Sequence, residues 1–335
     1  MKRIFIKRSA TLIKEIARDF YMITLPMPFR LEHVNVYAIV HAGRLTLFDT
    51  GLNTPETFTT LEAGLRRIGR TICDIDRIFI THRHGDHCGM AARIKAASGA
   101  TIFMSDVDHE FIRIAEDQDR LIAILRSFYL RHGLGDEALA LLGSIFKSFG
   151  KMIGTFPLDY ALRPGEILTV GDRSCEVIAA PGHSRGQVCF FFRTEGILLA
   201  GDHILPDITP NLSPDLFQTD FHPLEHFLSS LNEMQNLPVK TVYPAHGRPF
   251  TYFLERIMEI KDHHHERKGL TLASVRAGRK STLEVSVDIF GKDLPDFDQY
   301  LALNETYVHL VELIQEGLVQ EEIEDNRCYY MEAPQ

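Results

Sequence analysis

The chain has 335 residues, a hydrophobic content of 45% and a formal net charge of −9. These values exclude an intrinsically disordered chain and predict one large domain with an appendage, or two domains. No run reaches the ~20 apolar residues that a membrane helix requires, and charges follow the first apolar residues too quickly for a signal peptide. We therefore expect a cytoplasmic protein with no membrane partner, and the charge argues weakly against a polyanion as the main partner.

The cysteine pattern argues against a disulfide framework. The chain has 5 cysteines, which are scattered and form no C-x-x-C pair. An odd number with this spacing is typical of reduced thiols in a protein core. Cys88 lies inside a histidine-rich stretch but begins a helical pattern, so we predict a small buried residue there and not a nucleophile.

The first hundred residues alternate between strand and helix patterns. Apolar runs broken by proline and glycine predict strands, and apolar residues at three- and four-residue spacing predict helices. The predicted elements are strands at 21–25, 34–40 and 45–48, a helix at 57–68, a buried strand at 78–80 and a helix at 89–97. This alternation favours an α/β layered fold.

A helical segment and a second set of strands follow. Residues 107–155 keep helical spacing, as in Leu141, Ile145 and Phe149, with no strand pattern between the helices. We interpret them as a helical insertion, about 107–160. It either covers the edge that carries the functional residues and shapes a substrate pocket there, or packs as an ordinary hairpin or dimer contact. Strand patterns return at 175–179, 188–192, 197–200 and 241–243. The second half therefore repeats the strand pattern of the first, which predicts a sandwich of two similar sheets.

The last part of the chain, 256–335, forms a separate unit in this reading. A charged helix precedes a helix that ends before Gly317, and a hairpin follows. Helix followed by hairpin is the outline of a winged helix, but residues 270–335 hold thirteen acidic and five basic side chains. That balance would repel a phosphate backbone. We expect a packing or dimerisation module, so a homodimer stays open, and we place the catalytic domain at 1–255.

The stretch ITHRHGDHCG, residues 80–89, places three histidines and an aspartate directly after an apolar run. Residues two apart at the end of a strand point the same way, so His82 and His84 can approach one ion together. Asp86 and His87 then fall on the opening turn of the next helix and face a second position. Four ligand-type residues at this spacing predict two adjacent metal sites.

Four further ligand-type residues follow predicted strands. Asp49 lies in LFDTG, His183 in PGHSRG, Asp202 in LLAGDH and His246 in YPAHG. An α/β fold places its active-site groups in the loops outside the strand ends. We therefore expect these side chains to share one edge of the molecule with residues 82–87.

These five motifs, in this chain order, resemble those of the metallo-β-lactamase superfamily, and the resemblance spans most of the chain. It implies a four-layer αββα sandwich with two metal ions at one edge. It also implies the following ligands: one ion would be held by His82, His84 and His183, the other by Asp86, His87 and His246, with Asp202 bridging both. Asp49 would orient the ligands and the bridging solvent, which makes Asp86 and Asp49 the candidate catalytic residues.

The implied activity is that of a dinuclear metal-dependent hydrolase. A metal-bridging hydroxide would attack an ester, thioester or lactone. Nitrogen and oxygen ligands suit zinc, our default, as well as iron or manganese. Two alternatives stay open: a phosphodiesterase or endoribonuclease acting on single-stranded RNA, and an inactive binding protein with the same fold.

Within that family, the winged-helix-like C-terminal unit makes the chain most similar to β-lactamase-like protein 2, and Asp202 resembles the aspartate of the glyoxalase II-like branch. Lactam hydrolysis is not implied, because lactam-hydrolysing members commonly have a cysteine where Asp202 stands. We therefore expect a small-molecule substrate that is not an antibiotic.

Other conspicuous polar residues receive a structural interpretation. Arg83 and Arg185 flank ligand-type histidines; a salt bridge is the expected role, and contact with an anionic substrate is the alternative. We expect His203 to point away from Asp202. The run His263-His264-His265 is interpreted as solvent-exposed. Nothing in the sequence assigns His109 to a pocket.

Overall fold

The computed structural model describes residues 13–150 and 154–334. Two of the sequence predictions concern residues outside the described part. They are the argument against a signal peptide, which uses residues 1–12, and the helical spacing of the insertion, which includes the side chain of Phe149. The described chain forms two large sheets, a terminal hairpin and helices that cover them.

The first sheet has seven strands in sequential order. They are β1 (Ile13–Ala17), β2 (Phe20–Pro26), β3 (His33–His41), β4 (Arg44–Phe48), β5 (Ile75–Phe79), β6 (Thr101–Met104) and β7 (Tyr160–Ala161). β1 to β4 form an antiparallel meander, whereas β4 to β7 run parallel. The carboxyl ends of β4 and β5 therefore lie side by side, which places the loops that follow them at one edge.

The second sheet has five strands in the order β12-β11-β10-β9-β8. They are β8 (Ile167–Val170), β9 (Arg173–Ala179), β10 (Val188–Phe192), β11 (Ile197–Gly201) and β12 (Thr241–Pro244). β11 and β12 are parallel, so their carboxyl ends meet as those of β4 and β5 do. The terminal hairpin pairs β13 (Val319–Glu324) with β14 (Arg327–Glu332).

Helices connect these strands and cover the outer faces of the sheets. They are α1 (Pro55–Arg67), α2 (Gly85–Cys88), α3 (Ala91–Ser98), α4 (Asp106–Ile114), α5 (Gln118–Arg131), α6 (Asp136–Gly150), α7 (Pro223–Met234), α8 (Phe253–Arg276), α9 (Thr282–Phe290) and α10 (Asp296–Gln315). A short 3₁₀ turn, Ile72–Asp74, precedes β5. α1 and α3 share an apolar cluster with the first sheet, and α7 and α8 share one with the second. The order of layers is helix, sheet, sheet, helix.

Aromatic side chains fill the space between the two sheets. Phe48 and Phe79 of the first sheet stack with ring centroids 5.1 Å apart. Phe190 of the second sheet meets Phe48 edge-to-face at 5.1 Å. Burying rings of this size is worth about 1.5–3 kcal/mol each. The strands that carry the predicted ligands are thus held in fixed register at their carboxyl ends.

The insertion packs against the C-terminal helices. Tyr129 of α5 is buried beside Leu303 of α10, and its hydroxyl donates a hydrogen bond to Asn304. α8 crosses the boundary that the sequence analysis placed at residue 256, because Ile257 belongs to the cluster of the second sheet and Val275 to that of the terminal hairpin. The division into two domains therefore stays a prediction.

Several expectations can be compared directly with these elements. The predicted strands and helices of the first half are present, as are the last helix and the hairpin. The elements β1, β6, β7, β8, α7 and α9 were not among the predictions. The 5 cysteines are free, as expected, and four of them, including Cys88, are buried; the expected core position is wrong for Cys73, which is exposed. In the described part of the chain, no helix combines the length and the apolar character needed to cross a membrane.

Candidate metal centre

Five strand-end segments converge at one edge of the sandwich. Asp49 follows β4, His82 and His84 follow β5, and Asp202 follows β11. The backbone at Gly201 is left-handed, with φ +51°, and a Cβ there would lie 3.1 Å from the Thr81 side chain. Only glycine fits easily at that position. The close approach brings the loop after β11 against the loop after β5.

The ligand-type side chains form two groups that share one residue. Within each group the candidate ligand atoms lie within 4.8 Å of one another. The groups are His82, His84, His183 and Asp202, here called the first set, and Asp86, His87, Asp202 and His246, called the second set. All seven residues singled out from the sequence are therefore brought together.

The carboxylate of Asp202 lies between the two sets. Its Oδ2 is 3.4 Å from Nε2 of His183 and 4.0 Å from Nε2 of His82. Its Oδ1 is 3.4 Å from Nε2 of both His87 and His246. One oxygen thus faces each set, an arrangement that allows the carboxylate to be shared by two cations.

Backbone carbonyls and one carboxylate fix the orientation of the imidazoles. Nδ1 of His183 donates to the Asn211 carbonyl at 2.7 Å, and Nδ1 of His246 donates to the His33 carbonyl at 2.8 Å. Nδ1 of His87 donates to Oδ2 of Asp49 at 2.9 Å. These contacts at Nδ1 direct Nε2 of each ring into the centre, as in metal-ligating histidines.

Asp49 is buried and joins both sets through Thr81. The carboxylate accepts hydrogen bonds from the Thr81 backbone N–H at 2.8 Å and from the Thr81 hydroxyl at 2.8 Å. That hydroxyl lies 3.0 Å from Nδ1 of His82 and, because it donates to Asp49, accepts a hydrogen bond from that nitrogen. Asp49 therefore orients His87 directly and His82 through Thr81.

The pKa values follow from burial and from the two carboxylates. Burial holds the pKa of His82 and His84 well below the usual range. Burial also acts to lower the pKa of His246, but the nearby Asp202 and Asp86 outweigh it and raise the pKa to about 10. Despite burial, the neighbouring histidines hold the pKa of both aspartates well below normal. The aspartates are ionised at neutral pH.

This donor set fits divalent cations. Nε2 of His87, Nε2 of His183 and Oδ1 of Asp202 are buried and have no hydrogen-bond partner among the described residues. Leaving such atoms unpaired costs about 1–3 kcal/mol each. Lone pairs of nitrogen and anionic oxygen that face one another repel unless a cation or protons lie between them. Imidazole and carboxylate ligands suit zinc, iron and manganese alike.

Comparison with known proteins identifies the family. A family model described as "Metallo-beta-lactamase superfamily" matches residues 30–246, which is more than half of the chain. The chain belongs to the metallo-β-lactamase superfamily. A solved metallo-β-lactamase family protein from Thermus thermophilus superposes with a TM-score of 0.84 and 29% identity, over 95% of this chain and 100% of that one. The predicted fold class is confirmed.

Curated relatives of this metallo-β-lactamase superfamily member include named hydrolases. The "Probable metallo-hydrolase YqjP" of Bacillus subtilis is 24% identical and covers 93% of this chain and 97% of its own. The "Beta-lactamase-like protein 2 homolog" of Caenorhabditis elegans is 24% identical over 88% of this chain and 83% of its own. Two further relatives match over a shorter length. A hydroxyacylglutathione hydrolase of Fuscovulum blasticum is 28% identical over 49% of this chain and 44% of its own. An atrochrysone carboxyl ACP thioesterase of Aspergillus fumigatus is 24% identical over 36% of this chain and 35% of its own. The superfamily member is a hydrolase.

The two arginines near the centre differ in their contacts. Nη1 of Arg83 pairs with the buried Asp108 at 3.5 Å, and its guanidinium stacks over the Phe111 ring at 3.8 Å. The salt bridge expected for Arg83 is confirmed. Arg185 lies 5.8 Å from the Phe221 ring, and its Nη1 is buried with no hydrogen-bond partner in the described chain. The salt bridge expected for Arg185 is not found among the described residues, which leaves contact with an anionic group as its alternative role.

The other histidines singled out from the sequence lie away from the centre. His203 points away from Asp202, as expected, and its Nε2 contacts Ser230 Oγ at 2.9 Å. His109 contacts the Phe156 carbonyl at 2.8 Å.

The predicted solvent exposure of the run His263-His264-His265 is wrong for His264. That side chain is 2% exposed, and its Nδ1 lies 3.3 Å from Nε2 of His309. α10 packs over this face of α8, which the charged neighbours of His264 in the sequence do not indicate.

Two residues that support the centre were not predicted. Thr81 belongs to the histidine-rich stretch, so its position next to His82 was a readable signal. Asp108 of the insertion is fully buried and bonds to loops at Arg83 and Ser184. These partners are 25 and 76 positions away in sequence, so no local pattern could reveal Asp108.

Proposed function

We propose that this protein is a dinuclear metal-dependent hydrolase that cleaves an ester, thioester or lactone. The observation that carries the proposal is Asp202, whose two oxygens face two separate sets of imidazole and carboxylate ligands. A single-ion centre would not require a second set of buried, unpaired ligand atoms. The hydrolases among the relatives support the reaction class.

Two bound divalent ions would lower the pKa of a shared water from 15.7 toward ~7 and so supply hydroxide at neutral pH. The residues of this chain prepare the site for that chemistry. Asp49 keeps the His87 and His82 lone pairs directed inward. Asp86, ionised and 3.2 Å from Nε2 of His246, would complete the second set of ligands. Zinc is the ion that we expect in the cell, with iron and manganese as alternatives.

The relatives and the charge of the chain support the proposed substrate class. Relatives named hydroxyacylglutathione hydrolase and ACP thioesterase favour an acyl substrate. A polyanion such as RNA is disfavoured, because the chain carries a net charge of −9 and its last 66 positions are strongly acidic. We therefore place a small acyl compound ahead of single-stranded RNA.

A substrate screen tests this proposal. The purified chain, loaded with zinc, manganese or iron, is assayed against matched acetyl esters and thioesters, γ-lactones, a phosphodiester and a short single-stranded RNA. We expect turnover of at least one acyl substrate and none of the phosphodiester. The matched control is Asp202→Ala, which removes the shared ligand and should reduce turnover at least about 100-fold.

The possible results of the screen separate the alternatives. Cleavage of RNA with no acyl turnover would replace the acyl hydrolase by a nuclease. Full activity of the Asp202→Ala variant would show that the reaction does not depend on the centre. A metal-loaded chain with no activity on any substrate class would favour the binding-protein alternative.

A further inference from the structure

The insertion contributes a buried carboxylate that contacts both loops of the first set. Asp108 lies in α4 and has no exposed surface. Its Oδ2 accepts hydrogen bonds from the backbone N–H of Arg83 at 2.9 Å and from the Ser184 hydroxyl at 2.6 Å. Its Oδ1 accepts one from the backbone N–H of Gly186 at 2.7 Å. Charge-assisted hydrogen bonds of this kind are the stronger class.

The contacted residues flank the first set in sequence. Arg83 stands between His82 and His84, and Ser184 directly follows His183. Asp108 therefore joins two ligand loops that are about a hundred positions apart in the chain, and it does so without contacting a ligand itself. Its place on α4 means that the insertion sets the distance between these loops.

The geometry at Gly186 shows how closely α4 approaches the second of these loops. A Cβ at this position would lie 2.6 Å from Ser105 Oγ and 2.7 Å from the backbone nitrogen of Asp108. Real Cβ atoms do not approach other atoms so closely, so the loop would have to move away from α4. The contact leaves room for glycine only.

The second set is held by other groups. Asp49 orients His87, and the His33 carbonyl orients His246. Asn35 donates from its side chain to the carbonyls of Pro244 and Gly247, on either side of His246. None of the contacts described for Asp108 reaches this group.

We propose that Asp108 is a positioning residue for the first metal ion alone. This inference rests on the proposed dinuclear centre and adds that the insertion supports the first ion only, whereas Asp49 contacts His87 of the second set directly and His82 of the first set through Thr81. Asp108 fixes the spacing between His183 and the pair His82 and His84. The loss of this carboxylate should lower the affinity for the first ion and leave the affinity for the second ion unchanged.

Asp108→Asn is the test substitution, because an amide keeps the shape and removes one acceptor. Its NH2 group must face either the Arg83 N–H or the Gly186 N–H, so one backbone donor loses its partner in either orientation. Zn²⁺ affinity is measured by competition with a chromophoric zinc chelator. The matched control is Asp106→Asn on the same helix, where the carboxylate is half exposed and pairs with Arg163.

Two backgrounds with one ion each identify the affected set. His246→Ala leaves the first set complete, and His183→Ala leaves the second complete. In the His246→Ala background, Asp108→Asn should weaken zinc binding by about 10–100-fold. In the His183→Ala background it should have no effect. If Asp108 had only a general structural role, Asp108→Asn would weaken zinc binding equally in both backgrounds. That result would overturn the proposal.

Ser184→Ala keeps the test decisive if Asp108→Asn does not fold. It removes one hydrogen bond at the same contact, so it should cause a smaller loss of zinc affinity in the His246→Ala background only. Unchanged affinity in both backgrounds would refute the proposal. A wild-type chain that binds fewer than two zinc ions would instead refute the dinuclear centre, so the two failures can be told apart.

Discussion

The substitution Asp49→Asn probes the support of the ligands without removing one. Asp49 has φ 57°, in the left-handed region, which asparagine adopts more readily than alanine does. The amide therefore keeps the backbone and the volume of the side chain. What changes is one of the two carboxylate oxygens that accept hydrogen bonds from Thr81 and His87.

Each orientation of the new amide perturbs the centre. If the NH2 group faces Thr81, the buried backbone N–H of Thr81 loses its acceptor, which costs about 1–3 kcal/mol. If it faces His87, it donates to Nδ1, and the proton moves to Nε2. His87 then presents a proton to the centre where it presented a lone pair. We expect zinc affinity to fall by about 10–100-fold.

The assay is a zinc titration of the metal-free protein, together with urea unfolding of the same sample. Asp19→Asn is the matched control, since Asp19 also has a left-handed backbone, with φ 58°, but is exposed. We expect the control to match the wild type in both measurements. An Asp49→Asn variant with wild-type zinc affinity would refute the role given to this carboxylate.

Three further predictions concern the shared ligand, the unpaired arginine and the buried histidines. Asp202→Ala should lose both ions, as measured by elemental analysis; retention of two ions would contradict the sharing. Arg185→Gln should raise KM about tenfold for a substrate with a carboxylate, because a charge-assisted hydrogen bond is lost. The kcat, the metal content and the KM for a neutral substrate of the same acyl group should stay unchanged. Equal increases in KM for both substrates would contradict this prediction. Burial lowers the pKa of His132 and of His264 to about 3, so the unfolded chain binds more protons below pH 6.5 and stability falls from there toward pH 3. Each histidine should lower the free energy of unfolding by about 2 kcal/mol at pH 5 relative to pH 7. In urea unfolding, the stability of His132→Gln should therefore fall less between pH 7 and pH 5 than that of the wild type. An identical fall would contradict this prediction.

The ligands could be predicted from the sequence because local geometry determines most of them. His82 and His84 are two apart after a strand, and Asp86 and His87 begin α2, so their relative positions depend on a few backbone angles. The distant residues, such as Asp202, were expected at the same edge because they follow predicted strands, and the resemblance to the superfamily implied that they are ligands. Both kinds of information are contained in short segments.

The supporting contacts could not be predicted in this way. Asp108 meets Ser184 only because α4 lies across both loops, and no pattern within either segment encodes that packing. His264 is buried by α10, although it stands among charged residues on α8. The edge strand β8 was missed because it has only 4 residues and Thr169 interrupts its apolar pattern.

The most direct test of the central claim is the metal content of the purified chain. After incubation with zinc, manganese or iron and removal of free metal, elemental analysis should find two ions per chain. X-ray anomalous scattering should place one ion on either side of the Asp202 carboxylate. Less than one ion per chain under all three conditions, or a single ion bound away from Asp202, would contradict the account.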